Sequence, residues 1–127
     1  MTAVPGASQV FKCAAVTYST DSKTELIGVD AALIEQYGVV SKETALAMVK
    51  GIAQRSGTDV AVSITGYAGP RTGNEPVGKV CIGVVAPGSQ NVKEFHFTGN
   101  RDRIRVLSVV NALDMVRRAI LHIESGE

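Results

Sequence analysis

The stretch that most constrains this chain is Val77–Ala86, ten residues in which only Lys79 is charged. An apolar run of that length, bounded by turn residues, reads as a strand buried on both faces. Pro87-Gly88 marks a turn, and 91–98 then alternates as an amphipathic strand through Val92, Phe95 and Phe97. The two are expected to pair as a hairpin. A strand with two apolar faces needs a cover over each of them.

The covers are legible as helices. Asp30 is a good N-cap for a short helix over Ala31–Tyr37, and Gly38 is its natural stop. Ser41 caps the next helix, with Glu43 in its positive first turn. Ala45, Met48, Val49, Ile52 and Ala53 follow the helical period, so one face of 42–56 is expected to be buried, and Gly57 ends it. A last helix over about 101–123 carries Val106, Val109, Val110, Leu113, Val116 and Ile120 on the face expected to pack inward. Two further stretches read as strands: 11–19, apolar with a polar end, and 59–65. The order predicts a three-layer α/β/α domain with a mixed sheet. With 127 residues and no repeat or linker, 1–127 is read as one domain.

Charge excludes some function classes. Thirteen Lys+Arg against twelve Asp+Glu leave a net charge of +1, so no overall pull toward nucleic acid or anionic membrane is expected. No apolar run is long enough to span a bilayer, and no basic segment leads into an apolar one as in a signal peptide. Cys13 and Cys81 both sit in apolar stretches, which predicts two buried, reduced thiols in a cytoplasmic protein.

Four local motifs bear on chemistry. Gly73–Lys79 matches the spacing G-x-x-x-x-G-K, but Val80 follows where a phosphate loop needs Ser or Thr, and a strand follows where it needs a helix. Gly78 is read instead as permitting a close backbone approach or a bulge at the strand start. Thr65-Gly66-Tyr67-Ala68-Gly69-Pro70 lies just past a buried strand, with glycines that leave backbone N–H groups open to an anion and Arg71 adding charge. Tyr18–Lys23 also follows a strand, and a lysine there is a general base if burial lowers its pKa. Gly99–Arg105 opens the last helix with three arginines, a combination suited to phosphate or carboxylate. Each of these also has an ordinary reading as a tight loop, a solvated lysine or a charged first turn. His96 and His122 are isolated and have no metal-spaced partner, and no Ser-His-Asp or Cys-His arrangement is legible.

Taken together, the segments resemble a known family. Val4-Pro-Gly-Ala-Ser8, Val16-Thr-Tyr-Ser19 with Lys23, and Leu26-Ile-Gly-Val29 stand in one order. Gly38-Val-Val-Ser41, Thr65–Pro70, Pro76-Val-Gly78 and Gly99-Asn-Arg101 with Arg105 continue it. The whole is similar to the C-terminal domain of competence/damage-inducible protein CinA, which as a stand-alone protein is known as nicotinamide-nucleotide amidohydrolase.

The resemblance implies an α/β/α fold and a Ser/Lys amidohydrolase that needs no metal or other cofactor. Its substrate is nicotinamide mononucleotide, and its products are ammonia and nicotinate mononucleotide for pyridine-nucleotide salvage. Lys23 falls at the family's lysine, base toward the serine and acid toward leaving ammonia, and Tyr18 at the tyrosine beside it. Thr65, Gly66, Ala68, Gly69 and Pro70, with Arg101 and Arg105, would hold the nucleotide. The family's serine lies in an E-S-C-T-G-G segment that precedes the stretch matching Val4–Ser8. Met1 falls after it, and Ser8, Ser19 and Ser22 do not match it. Cys13-Ala14 and Arg71-Thr72 stand where the family has glycines. The 127 residues are therefore expected to correspond to an N-terminally incomplete family domain that exposes apolar sheet surface and self-associates. The alternative function is a noncatalytic nucleotide-binding or interaction module of the same descent.

Overall fold

A computed structural model describes residues 1–122. A single 3-10 turn, Ala7–Gln9, precedes four helices and three strands in the described residues. The order is α1 (Thr20–Ile27), α2 (Ala31–Tyr37), α3 (Lys42–Ser56), β1 (Ala61–Gly66), β2 (Lys79–Ala86), β3 (Ser89–His96) and α4 (Arg101–Ile120).

The central strand behaves as its composition demands. β2 lies between β1 and β3, antiparallel to both, and Ala86 pairs with Ser89 across the Pro87-Gly88 turn. Side chains alternate across a strand. Val80, Ile82 and Val84 accordingly join Ile104, Ala112 and Met115 of α4 in one apolar cluster, while Cys81 packs with Val40 and Ala45 on the α3 side. Gly83 lies against α3 so closely that an added Cβ would stand 3.0 Å from the Ala45 carbonyl oxygen and 3.1 Å from Val49. Helices thus cover both faces of the sheet, and α1 and α2 pack on α3.

Local signals placed the helix ends. The Asp30 carboxylate accepts from the Ala32 N–H at 2.9 Å and the Ser41 hydroxyl from the Thr44 N–H at 3.1 Å. Gly38 and Gly57 end α2 and α3 at positive φ. Residue 123, included in the expected last helix, lies outside the described residues.

Three expectations are corrected. Residues 11–18 form no strand, and the described sheet is antiparallel throughout rather than mixed. A strand satisfies its backbone only beside another strand, and this segment lies beside none; of residues 1–18 only Thr17 is buried. Cys13 goes with it and is exposed, whereas Cys81 is fully buried. Finally, α4 buries Ile104, Ser108, Ala112 and Met115; of the residues expected to pack inward only Val116 meets the core, while Val106, Val109, Val110, Leu113 and Ile120 are exposed. The sheet selects the seam whose Ser108 and Ala112 are small enough for close approach.

The two thiols should therefore react very differently. Burial pushes the Cys81 thiol above its ordinary pKa, which disfavours the nucleophilic thiolate. An aromatic disulfide reagent is expected to modify one thiol, Cys13, within minutes in the native chain and both after denaturation. Cys13→Ser should leave a native protein that reacts hardly at all.

Candidate functional site

Lys23 is the fourth residue of α1, one turn past the Ser19 cap. The Ser19 hydroxyl accepts from the Ser22 N–H at 3.2 Å, and the Ser22 hydroxyl donates back to the Ser19 carbonyl at 2.7 Å. At the other end Gly28 takes a left-handed conformation, and the Gly28 and Val29 N–H groups close on the Thr24 and Lys23 carbonyls. Lys23 and Ile27, four residues apart, are the buried face of this helix. The helix sits close on α3, since a Cβ at Gly51 would collide with the Ile27 carbonyl oxygen.

A lysine on that face is unusual, because a buried ammonium loses its hydration. Lys23 is only 5% exposed. Its ammonium donates to the Thr17 carbonyl, which anchors the end of the extended N-terminal segment to α1. Burial pushes its pKa below the ordinary lysine value. Tyr18, next to this anchor, points outward and is 84% exposed.

The 65–70 loop is built at the opposite end of the hairpin from the Pro87-Gly88 turn. The Thr65 hydroxyl donates to the Val39 carbonyl at 2.8 Å, tying the end of β1 to the α2–α3 connection. Past β1, the Tyr67 N–H reaches the Lys79 carbonyl at 3.0 Å and the Gly78 N–H reaches the Tyr67 carbonyl at 2.7 Å. Gly69 has positive φ and sits against Val77. The Arg101 guanidinium donates to the Gly69 carbonyl at 2.7 Å, so the loop and the start of α4 are held together. Arg105 is exposed one turn further along α4. Asn100 caps α4 by accepting from the Arg103 N–H at 2.9 Å, and the Arg103 guanidinium donates to the Thr98 carbonyl at 3.1 Å.

The structure therefore joins Gly69 and Arg101, which sequence separates by 32 positions. No hydrogen bond or ion pair among the described residues joins Lys23 or Tyr18 to that loop. Thr72 and Glu75 close the loop's outer part, with the Thr72 N–H and hydroxyl both donating to the Glu75 carboxylate at 3.0 and 2.7 Å. These bonds hold Glu75 below the usual carboxylate range. Lys79 begins a strand and faces Glu94 at 4.0 Å, which agrees with the rejection of a phosphate loop. Two anchors were missed by sequence reasoning, the Thr17 and Val39 carbonyls. Any residue has a carbonyl, so no side-chain signal marks them. Among the described residues no group of three His, Cys, Asp or Glu is placed to hold a metal ion. None of the described helices is long and apolar enough to cross a membrane.

The family model for the CinA C-terminal domain matches residues 1–120. The chain belongs to the CinA C-terminal domain family. A CinA-like protein from Geobacter metallireducens is 44% identical over 123 residues, covering 95% of this chain and 30% of that protein. One from Dictyoglomus thermophilum is 43% identical over 122 residues, with 94% and 30% covered. Among solved structures, a CinA-superfamily competence-damaged protein from Escherichia coli superposes with a TM-score of 0.77 at 30% identity, covering 81% of this chain and 61% of that one. The competence/damage-inducible protein CihA from Agrobacterium tumefaciens gives 0.78 at 35% identity, with 82% and 66% covered. The chain thus spans about 30% of the length of the curated CinA-like relatives. The α/β architecture with helices on both sheet faces is that of the CinA superfamily.

Proposed function

We propose that this CinA domain carries the lysine base of a cytoplasmic amidohydrolase that converts nicotinamide mononucleotide to nicotinate mononucleotide and ammonia. The observation that carries the reading is Lys23: an amine buried on the face of a short helix, with its pKa lowered by that burial. Desolvation of this kind makes the amine easier to deprotonate and so suits it to accepting a proton. The reacting hydroxyl comes from the serine of the family's E-S-C-T-G-G segment. In its neutral form Lys23 takes the hydroxyl proton as the serine oxygen bonds to the carboxamide carbon. It returns that proton to the amide nitrogen as the C–N bond breaks, ammonia leaves, and water then hydrolyses the acyl-serine ester. The 65–70 loop and Arg105 would hold the nucleotide, and Arg101 would position the loop through the Gly69 carbonyl.

The test compares ammonia release from nicotinamide mononucleotide by the 127 residues alone and by the same residues preceded by the family segment with its serine. The first is expected to be inert. The second is expected to turn over at an enzymatic rate, on the order of 1 per second or faster. Nucleotide binding without turnover in both would establish the noncatalytic binding module instead. Turnover by the 127 residues alone would mean that a different nucleophile, Ser19 or Ser22, acts.

A further inference from the structure

The family resemblance puts Thr65 among the residues that would hold the nucleotide, but its surroundings give it a different task. Thr65 is only 6% exposed. Its hydroxyl has one proton, and that proton is donated to the Val39 carbonyl at 2.8 Å, 26 positions away. A phosphate or carboxamide oxygen is an acceptor and finds no donor left there. The bond is one of a set. Ser63 and Thr65 alternate along β1 onto the face that meets α3, and the Ser63 hydroxyl donates to the Ala45 carbonyl at 2.7 Å. The Thr44 hydroxyl donates to the Gly38 carbonyl at 2.7 Å, and the Ser41 hydroxyl lies 3.0 Å from the same oxygen. Three hydroxyls thus grip the turn at 38–39, and the one from the sheet is that of Thr65.

Val39 is where the two halves of the candidate site meet. Its side chain packs on the cluster of Ile27, Val29, Ile34 and Met48, and Ile27 shares its helix face with Lys23. It also packs on the cluster of Val40, Ala45 and Cys81, against which Tyr67 of the loop packs as well. The next residue along β1 leaves little slack, since Gly66 pairs with Val80 and an added Cβ would stand 2.8 Å from the Val80 side chain. We infer that Thr65 is a positioning residue: through the Val39 carbonyl it fixes the 65–70 loop relative to the helix that carries Lys23. The inference rests on the amidohydrolase reading, in which the loop holds the nucleotide and Lys23 moves the proton. It leaves the loop's nucleotide contacts to residues 66–70. A displacement of about 1 Å between reacting groups costs up to about a hundredfold in rate, so one buried bond at this junction is enough to matter.

Thr65→Val and Thr65→Ser test this, since valine keeps the shape without the donor and serine keeps the donor. The first measurement is NMR relaxation dispersion on the 127-residue chain. In Thr65→Val the amides of residues 66–69 are expected to show µs–ms exchange at least about threefold larger than in the wild type, while those of β2 do not change. Thr65→Ser should restore the wild-type pattern. The second is kinetics of the segment-bearing protein with nicotinamide mononucleotide. Thr65→Val is expected to lower kcat about tenfold and to move KM by less than about threefold, and Thr65→Ser to recover most of the rate. A direct ligand would show the reverse, with KM raised and kcat held, and that result overturns the inference. So does a loop whose dispersion is unchanged in Thr65→Val, or a kcat that Thr65→Ser lowers as far as Thr65→Val. Failure of the amidohydrolase reading shows separately, as a wild type without turnover, and the inference then falls with it.

Discussion

Lys23→Arg is expected to lower the rate of ammonia release by the segment-bearing protein by about a thousandfold, the upper-middle range for loss of an acid–base group. Lys23→Ala should fall as far. Arginine retains positive charge, but a guanidinium does not give up its proton at working pH, so it cannot accept one from the serine. The comparison therefore separates a base from an electrostatic anchor. Methylamine added to Lys23→Ala is expected to recover part of the rate, which a purely structural lysine would not permit. Wild-type kcat should rise with pH and level off above the folded-state pKa of Lys23, which lies below 10.5. Stability changes with the same sign. The fold holds this proton less tightly than the unfolded chain does, so the cost of burying the ammonium is fully present below the folded pKa. It disappears as pH rises to the unfolded value. Arg105→Ala should act differently, raising KM with little change in kcat, because a phosphate contact is shared by the ground and transition states. Full activity in Lys23→Arg would dismiss lysine as the base.

Gly78→Ala is expected to destabilise the domain by about 3–5 kcal/mol, the range reserved for named backbone and steric failures. With total stabilities of roughly 5–15 kcal/mol for such domains, that is a third of the margin or more. Gly78 has φ +96, and a Cβ built there stands 1.9 Å from the Phe97 carbonyl oxygen. The same residue donates to the Tyr67 carbonyl at 2.7 Å and accepts from the Phe97 N–H at 2.8 Å, so its backbone links the ends of all three strands. Nothing there is a flexible side chain that can swing aside. Gly88→Ala provides the control, since Gly88 also has positive φ but has nothing within 4 Å of an added Cβ. It should cost only about 1 kcal/mol of conformational strain. Thermal unfolding of the two variants side by side is the measurement. Equal losses would mean that positive φ alone accounts for Gly78 and that the close approach to Phe97 is unimportant.

Gly78 also shows how much could be read before the fold was known. It is the second glycine of a near-match to a phosphate loop, read instead as permitting a close backbone approach or a bulge, and the structure has the close approach, at Phe97. Short-range chemistry was legible throughout. Asp30 and Ser41 cap the helices they precede, Gly38 and Gly57 stop them, and Pro87-Gly88 turns the hairpin. Each of these depends on residues within a few positions, so sequence spacing carries the whole interaction. The two-faced burial of β2 was legible for a related reason, because a strand with no polar face has only one place to go.

Segments 11–18 and α4 mark where that reasoning stops. An apolar stretch becomes a strand only if another strand offers its edge, and Val16 and Tyr18 find none. In α4 both sides are apolar, so periodicity alone could not choose between them. The choice fell to side-chain size against the sheet, where Ser108 and Ala112 fit under β2 and Val109 and Val110 do not. The candidate site divides in the same way. Lys23, Tyr18 and the 65–70 loop were visible as residue types, and the capping of α1 was local. That Lys23 turns inward to the Thr17 carbonyl, and that Arg101 grips Gly69 across 32 positions, follows from how α1 meets α3 and how α4 crosses the end of the sheet. The sequence by itself determined the elements, their ends and the strand that had to be covered on both sides. The tertiary structure alone decided which apolar faces received partners, because burial is a property of two surfaces and a sequence motif describes only one.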